Sequence, residues 1–258
     1  MDNNQVKEIN LFFEKYLEKN LDKEDLRQIR KFEHSYRVAN LNKKIAESVN
    51  LSDSDQNLTY VIGLLHDIGR FAQLNQTNSF SDSILNHAML GVKVLDKLNF
   101  FEKYNLEDAE IKTIKQCIIN HNKYNFEEDD KKISMFIKMI RDSDKVDNLR
   151  LYKEEKNIEI IESKDEENID VSDKVYLDFK KEQSIKSGNI NNQLDRCVMV
   201  IAFAFDLNFD YSKNIILEEN LFDNFYKNIK SNKDANKKKL QNFVKIANQK
   251  LKMDLANG

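Results

Sequence analysis

Residues 61–74 read VIGLLHDIGRFAQL, an apolar run that stops at an adjacent His66 and Asp67 before going on through Gly69 and Arg70. His66 follows Ile62 by four and Leu58 by eight, so it shares the apolar stripe of a helix expected over about 55–66 and points into the core. Asp67 is one residue on, about 100° round the helix. A buried carboxylate beside a buried imidazole is costly without partners. The chain has only four histidines from which to supply them.

All four point the same way. His34 precedes Val38, Leu41 and Ile45 by steps of four, three and four. His87 falls in the series Ile84, His87, Gly91, Val94 or Leu95, Leu98, and His121 ends the series Ile111, Ile114, Ile118. In ISMFIKMIRDSDKVDNLRLY, Asp144 shares the face of Ile133, Ile137 and Ile140. Asp142 lies about 200° from Ile140 and is expected to look outward, while Asp147, about 60° from Asp144, is a candidate neighbour.

The rest of the chain is read as all-α. It has no proline and only five glycines, with abundant Lys, Glu, Leu and Ile. Helices are expected over about 4–19, 24–49, 55–66, 84–98, 107–121, 130–151, 172–186 and 191–206, followed by shorter ones to the end. The polar stretch NQTNSFSDS at 75–83 connects the third and fourth. KEEKNIEIIESKDEENID at 153–170 reads as a solvated excursion with room for a short hairpin, and KSNKDANKKK at 230–239 as a charged helix face or loop. Residues 1–152 are expected to form the core, with 153–258 a charged connection and helical extension packed on it as one structural domain.

Composition excludes several classes. Forty-one basic and forty-four acidic residues leave a net charge of −3, which argues against an extended nucleic-acid surface. VMVIAFAF at 198–205 is too short to span a bilayer. The charged start MDNNQVKEINLFFEKY lacks a secretory apolar core, so a cytoplasmic protein is expected. Cys117 and Cys197 form no CxxC and imply no disulfide framework.

Four imidazoles and two carboxylates without thiolate suit divalent Mn, Fe, Ni, Co or Zn more than a structural zinc site, without distinguishing among these and Mg. Six such groups exceed what one ion with an open position needs, so two ions are expected.

These residues resemble the HD superfamily of metal-dependent phosphohydrolases. The matching segments, in order, are FEHSYRVANL, LLHDIGRF, ILNHAMLGVKVL, IINHNKYNF and IRDSDKVDNLRLY, within about residues 25–152. The resemblance implies that His34, His66, Asp67 and Asp144 hold a first metal, and that His87 and His121 hold a second with Asp67 bridging. It also implies hydrolysis of a phosphate ester, of a nucleotide or a similar phosphorylated small molecule, by a water acidified between the metals. Arg70 is the leading candidate to grip a phosphate oxygen, with Lys145, Arg37 and Lys123 behind it; Asp67, Arg70 and Lys145 make up the expected catalytic set. Gly69 is expected to permit a tight turn after the His-Asp pair.

Two other readings fit the same residues: a di-iron oxygenase on this ligand set, and a non-catalytic nucleotide-sensing or interaction module. The extension leaves room for a homodimer contact. Cyclic-di-GMP hydrolysis is disfavoured because its Gly-Tyr-Pro motif needs a proline. SDKVDNLR resembles the late motif of guanosine tetraphosphate hydrolases, but the acidic pair expected after the HD is missing.

Overall fold

The computed structural model describes residues 1–152, 170–229 and 234–257. The charged excursion expected at 153–170 lies outside these residues apart from Asp170, as do residues 230–233. Among the described residues every regular element is helical, and no helix is long and apolar enough to cross a membrane. The chain divides into two compact units, Met1–Asp144 and Lys145–Gly258.

The first unit holds α1 (Asn3–Asn20), α2 (Leu26–Ser48), α3 (Asp53–Leu65), α4 (Ile68–Thr77), α5 (His87–Lys97), the single turn α6 (Phe100–Lys103), α7 (Asp108–Asn120) and most of α8 (Lys131–Leu151). Local chemistry sets the boundaries. Asp2 and Gln5 form a capping box on α1, the Ser52 hydroxyl accepts from the Asp55 amide at the start of α3, and Asn86 accepts from the Met89 amide at the start of α5. Asn50, Asn78, Asn99, Asn105 and Asn220 all have positive φ, the left-handed region that usually calls for glycine. In a chain this poor in glycine and proline, asparagine punctuates the helices.

The core of this unit is apolar and aromatic. Phe13 meets Phe71 edge to face at 6.4 Å, and both rings are buried. α2 and α3 cross where a Cβ on Gly63 would lie 2.6 Å from the Cα of Ala39, so only glycine permits that approach. The crossing fixes the helix bearing His34 against the helix ending at His66.

Several expectations are corrected. Residues 68–77 form a helix of their own, with Ile68, Phe71 and Leu74 buried, and the connecting polar stretch begins only after Thr77. α5 starts at His87 rather than 84, because Asn86 caps it there; Ile84 is 65% exposed, and the buried face is His87, Ala88, Gly91, Val92 and Leu95. Asp142 is buried rather than outward. Residues 139–143 of α8 are all buried, so this part of the helix has no solvent-facing side. Gly69 has no positive φ and makes no turn. It lies in the first turn of α4, where an added Cβ would sit 2.1 Å from the His87 carbonyl oxygen and 2.5 Å from the Gly91 amide nitrogen.

In the second unit, α9 (Asp173–Lys180) is shorter than expected. α10 (Gln193–Ile201) tightens into a 3-10 turn at Ala202–Asp206, then come α11 (Asp210–Glu218), α12 (Leu221–Asn228) and a long α13 (Asp234–Asn257) in place of the short terminal helices. The buried Asp195 carboxylate accepts from the Ser172 amide (2.8 Å), the Ser172 hydroxyl (2.7 Å) and the Asn191 amide (3.0 Å), joining the starts of α9 and α10. Phe179 packs on Phe205 and Phe243 at 4.8 and 4.5 Å. Cys117 and Cys197 are buried free thiols, and burial pushes the Cys197 thiol up to about 12.

Candidate metal centre

The chain breaks its helix at the His-Asp pair. His66 ends α3 in helical geometry, and Asp67, at φ −104 and ψ 12, starts α4 without capping it. An aspartate at that position ordinarily accepts from the first amides of its helix, an interaction worth roughly 1 kcal/mol. Here its carboxylate turns instead to the histidines.

The two oxygens of Asp67 face different pairs. Oδ2 lies 3.5 Å from His66 Nε2 and 3.7 Å from His34 Nε2, and Oδ1 lies 3.1 Å from His87 Nε2 and 3.8 Å from His121 Nε2. Asp144 Oδ1 sits 3.1 Å from His34 Nε2 and 3.8 Å from His66 Nε2. The six side chains of the sequence motif thus converge from α2, the α3–α4 break, α5, the end of α7 and α8. Two sets bring their ligand atoms within 4.8 Å of one another: His34, His66 and Asp144, and His66, Asp67 and His121.

Each of three rings is held by its other nitrogen. His66 Nδ1 donates to the Gly63 carbonyl and His121 Nδ1 to the Ile118 carbonyl, both at 2.7 Å, and His87 Nδ1 is 2.6 Å from Asp82 Oδ1. With the proton on Nδ1, Nε2 offers a lone pair. The His87 and His121 Nε2 atoms face each other at 3.0 Å, and His66 Nε2 is buried with no hydrogen-bond partner among the described residues. Lone pairs crowded together in a buried space, beside two carboxylates, are stabilised by a shared cation, whether a metal ion or a proton. The donor set therefore fits divalent metal.

Electrostatics agree with this. Burial alone raises the Asp67 pKa, yet the Lys31 ammonium and the facing His66 hold it well below the usual carboxylate range. Burial also raises that of Asp144, and the hydrogen bond and charge of His34 pull it far down. Burial, with the neighbouring His87 and His66, lowers His121 to about 3, so its ring is neutral at pH 7. Both carboxylates are ionised and at least this imidazole is ready to ligate.

Three positioning residues escaped the sequence reading. Lys31 Nζ lies 2.7 Å from Asp67 Oδ2; its signal was its place one turn before His34 on the same helix. Asp82 orients His87 through both the ring and the backbone amide (3.2 Å), and also accepts from Asn122 at 3.1 Å. Its polar surroundings in SFSDS gave no such hint. The buried Arg141 donates to the carbonyls of Asn120 (3.4 Å), His121 (3.3 Å), Lys123 and Tyr124 (3.4 Å), fixing the end of α7 where His121 sits. Nothing in its segment of sequence singled it out, because the burial of an arginine here depends on the enclosure of α8 at that level.

The other sequence candidates are placed as follows. Arg70 Nε lies 3.6 Å from Asp67 Oδ1, and its Nη1 reaches Gln73, the Phe80 carbonyl and Asp82 at 2.9, 2.8 and 3.3 Å. Lys145 pairs with Asp206 at 2.7 Å in the second unit, to which the buried Asp147 also belongs. Arg37 Nη1 lies 3.7 Å from the exposed Glu33, and Lys123 is exposed.

No curated protein and no solved structure matches this chain. A family model does: residues 32–171, just over half of the chain, match the HD domain. HD domains bind divalent metal ions, in keeping with the His and Asp clusters above. The chain belongs to the HD domain family.

Proposed function

We propose that the protein is a metal-dependent phosphohydrolase that cleaves a phosphate ester of a nucleotide or a similar phosphorylated small molecule. The observation that carries this reading is the division of the histidines by the two oxygens of Asp67. In this reading His34, His66 and Asp144 would hold one divalent ion and His87 and His121 another, with Asp67 shared between them. Metal ions so held supply an acidified water and neutralise phosphate oxygens.

The chain's own groups do the positioning. The Nδ1 bonds to Gly63, Ile118 and Asp82 keep three rings in the ligating tautomer. Lys31 and Arg70 flank Asp67 on its Oδ2 and Oδ1 sides and bring positive charge to where phosphate oxygens would lie. Arg70 is pre-oriented by its bonds to Gln73 and the Phe80 carbonyl, so little side-chain freedom is lost when it binds.

The test is metal analysis of anaerobically purified protein, with a phosphate-release screen over nucleotides and sugar phosphates and spin-resonance spectra before and after oxygen. Two equivalents of metal and phosphate release are expected, both lost in Asp67→Ala. His87→Ala should retain one equivalent. An oxygen-consumed mixed-valence iron signal without phosphate release would replace the hydrolase by an oxygenase. Absence of bound metal after reconstitution would leave the fold as a scaffold.

A further inference from the structure

A concave site lies in the first unit, and none of its lining residues belongs to the histidine cluster. It is a groove of about 860 Å³ between α1, α4 and α5. On α1 it is lined by Leu11, Phe12, Lys15, Tyr16 and Lys19, within a stripe from Glu8 to Asn20 that at 1.5 Å per residue is about 18 Å long. The α5 wall repeats the pattern with Leu90, Lys93, Val94, Lys97 and Leu98. Each wall is thus an apolar stripe with two lysines one turn apart.

Lys103 of α6 adds a fifth ammonium, 5.4 Å from the Tyr104 ring that also lines the groove. Among the described residues none of these five lysines has a carboxylate within 4.0 Å, and only Glu8 opposes them in the lining. In a chain of net charge −3 this is a concentration of unpaired positive charge. The apolar floor is open to water as well: Leu11 is 53% and Leu98 42% exposed.

We infer that this groove is an interaction surface for a partner protein that presents an acidic amphipathic helix. The apolar floor takes the i, i+3, i+4, i+7 face of such a helix, and lysines on both walls meet carboxylates on both of its flanks. The shape selects this occupant over others of the same charge. The lysines are distributed along two walls instead of converging on a point, as a small anion would need, and a concave trough fits a rod better than the plane of a membrane. α1 lies outside the matched residues 32–171, so the groove joins a helix beyond the matched segment to two helices within it.

The experiment is fluorescence anisotropy of the full chain with a labelled synthetic peptide of about 16 residues, four to five helical turns. The peptide carries leucines on one stripe and glutamates on both flanks. A counter-peptide carries lysine for every glutamate. Saturable micromolar binding that weakens as salt rises is expected for the acidic peptide alone. Affinity should fall at least tenfold in the double variants K15E/K93E and K19E/K97E. These positions are exposed, so thermal midpoint and metal content should stay at wild-type values in the same samples.

Undiminished binding in both double variants, or equal binding of the two peptides, would overturn the inference. So would the absence of peptide binding together with lysine-dependent binding to phosphatidylserine vesicles, which would assign the groove to lipid. Lysine-dependent self-association by sedimentation without peptide binding would assign it to a second copy and equally overturn it.

Discussion

Gly69 and Gly91 face each other across the α4–α5 contact, and replacing each by alanine should have opposite effects. A Cβ at residue 69 would stand 2.1 Å from the His87 carbonyl oxygen and 2.5 Å from the Gly91 amide nitrogen. Ordinary contact is about 3.5 Å, so α5 must retreat by about 1.4 Å at the His87 carbonyl. That movement carries His87, whose Nε2 now sits 3.1 Å from Asp67 Oδ1 and 3.0 Å from His121 Nε2. Overpacking of this kind costs about 1–3 kcal/mol, or roughly 3–10 °C in the midpoint of a unit of this size. At residue 91, by contrast, the new Cβ meets Gly69 N and Ile68 Cγ2 at 3.4 Å and Ile118 Cγ2 at 3.5 Å, which is normal packing. Alanine there should be neutral or gain about 0.5–1 kcal/mol from helix propensity. Thermal unfolding and metal titration of both variants check this. Gly69→Ala should melt lower and bind metal more weakly on the His87 side, while Gly91→Ala should melt at or slightly above the wild-type midpoint with unchanged metal affinity. Equal midpoints and equal metal affinity in the two variants would refute the packing argument.

Asp82→Asn should loosen His87 and weaken metal binding about 10–100-fold, measured by calorimetric titration, with the helix content unchanged. Arg141→Met removes the clamp on the carbonyls that follow α7 and should lower stability by about 1–3 kcal/mol, read from the denaturant midpoint. The metal-free protein should lose stability as pH falls. His121 binds its proton near 6.5 when unfolded but at about 3 when folded, so between these values the unfolded state holds more protons. The depressed Asp67 and Asp144 act in the same direction lower down. Its denaturant midpoint should therefore drop steadily from pH 7 to pH 4, and a flat profile would count against buried neutral imidazole.

How much of this was legible beforehand depends on how local each signal is. Helical periodicity over a dozen residues averages many side chains, so α1, α2, α3, α7 and α8 could be read to within a few residues. α4 was missed because its ten residues follow the His-Asp break with no capping signal, and its existence depends on packing Phe71 against Phe13. The inward histidines were visible because each ends or continues an apolar stripe. His87 was the weakest case, since Ile84, which anchored its series, is outside the helix and exposed.

Periodicity and side-chain type are properties of single segments, so an all-helical chain and a set of imidazoles and carboxylates directed inward could be read from the residues. The sequence also carried the ordered HD motif. Which atoms meet depends on how the helices pack. The split of Asp67 between two histidine pairs, the tautomers set by Gly63, Ile118 and Asp82, and the approach of α5 to Gly69 arise between helices distant in sequence. The burial of Asp142 and the lysine-walled groove are of the same kind. A helical projection assumes one wet face and one dry face, and which face is wet is decided by the neighbours a segment acquires on folding.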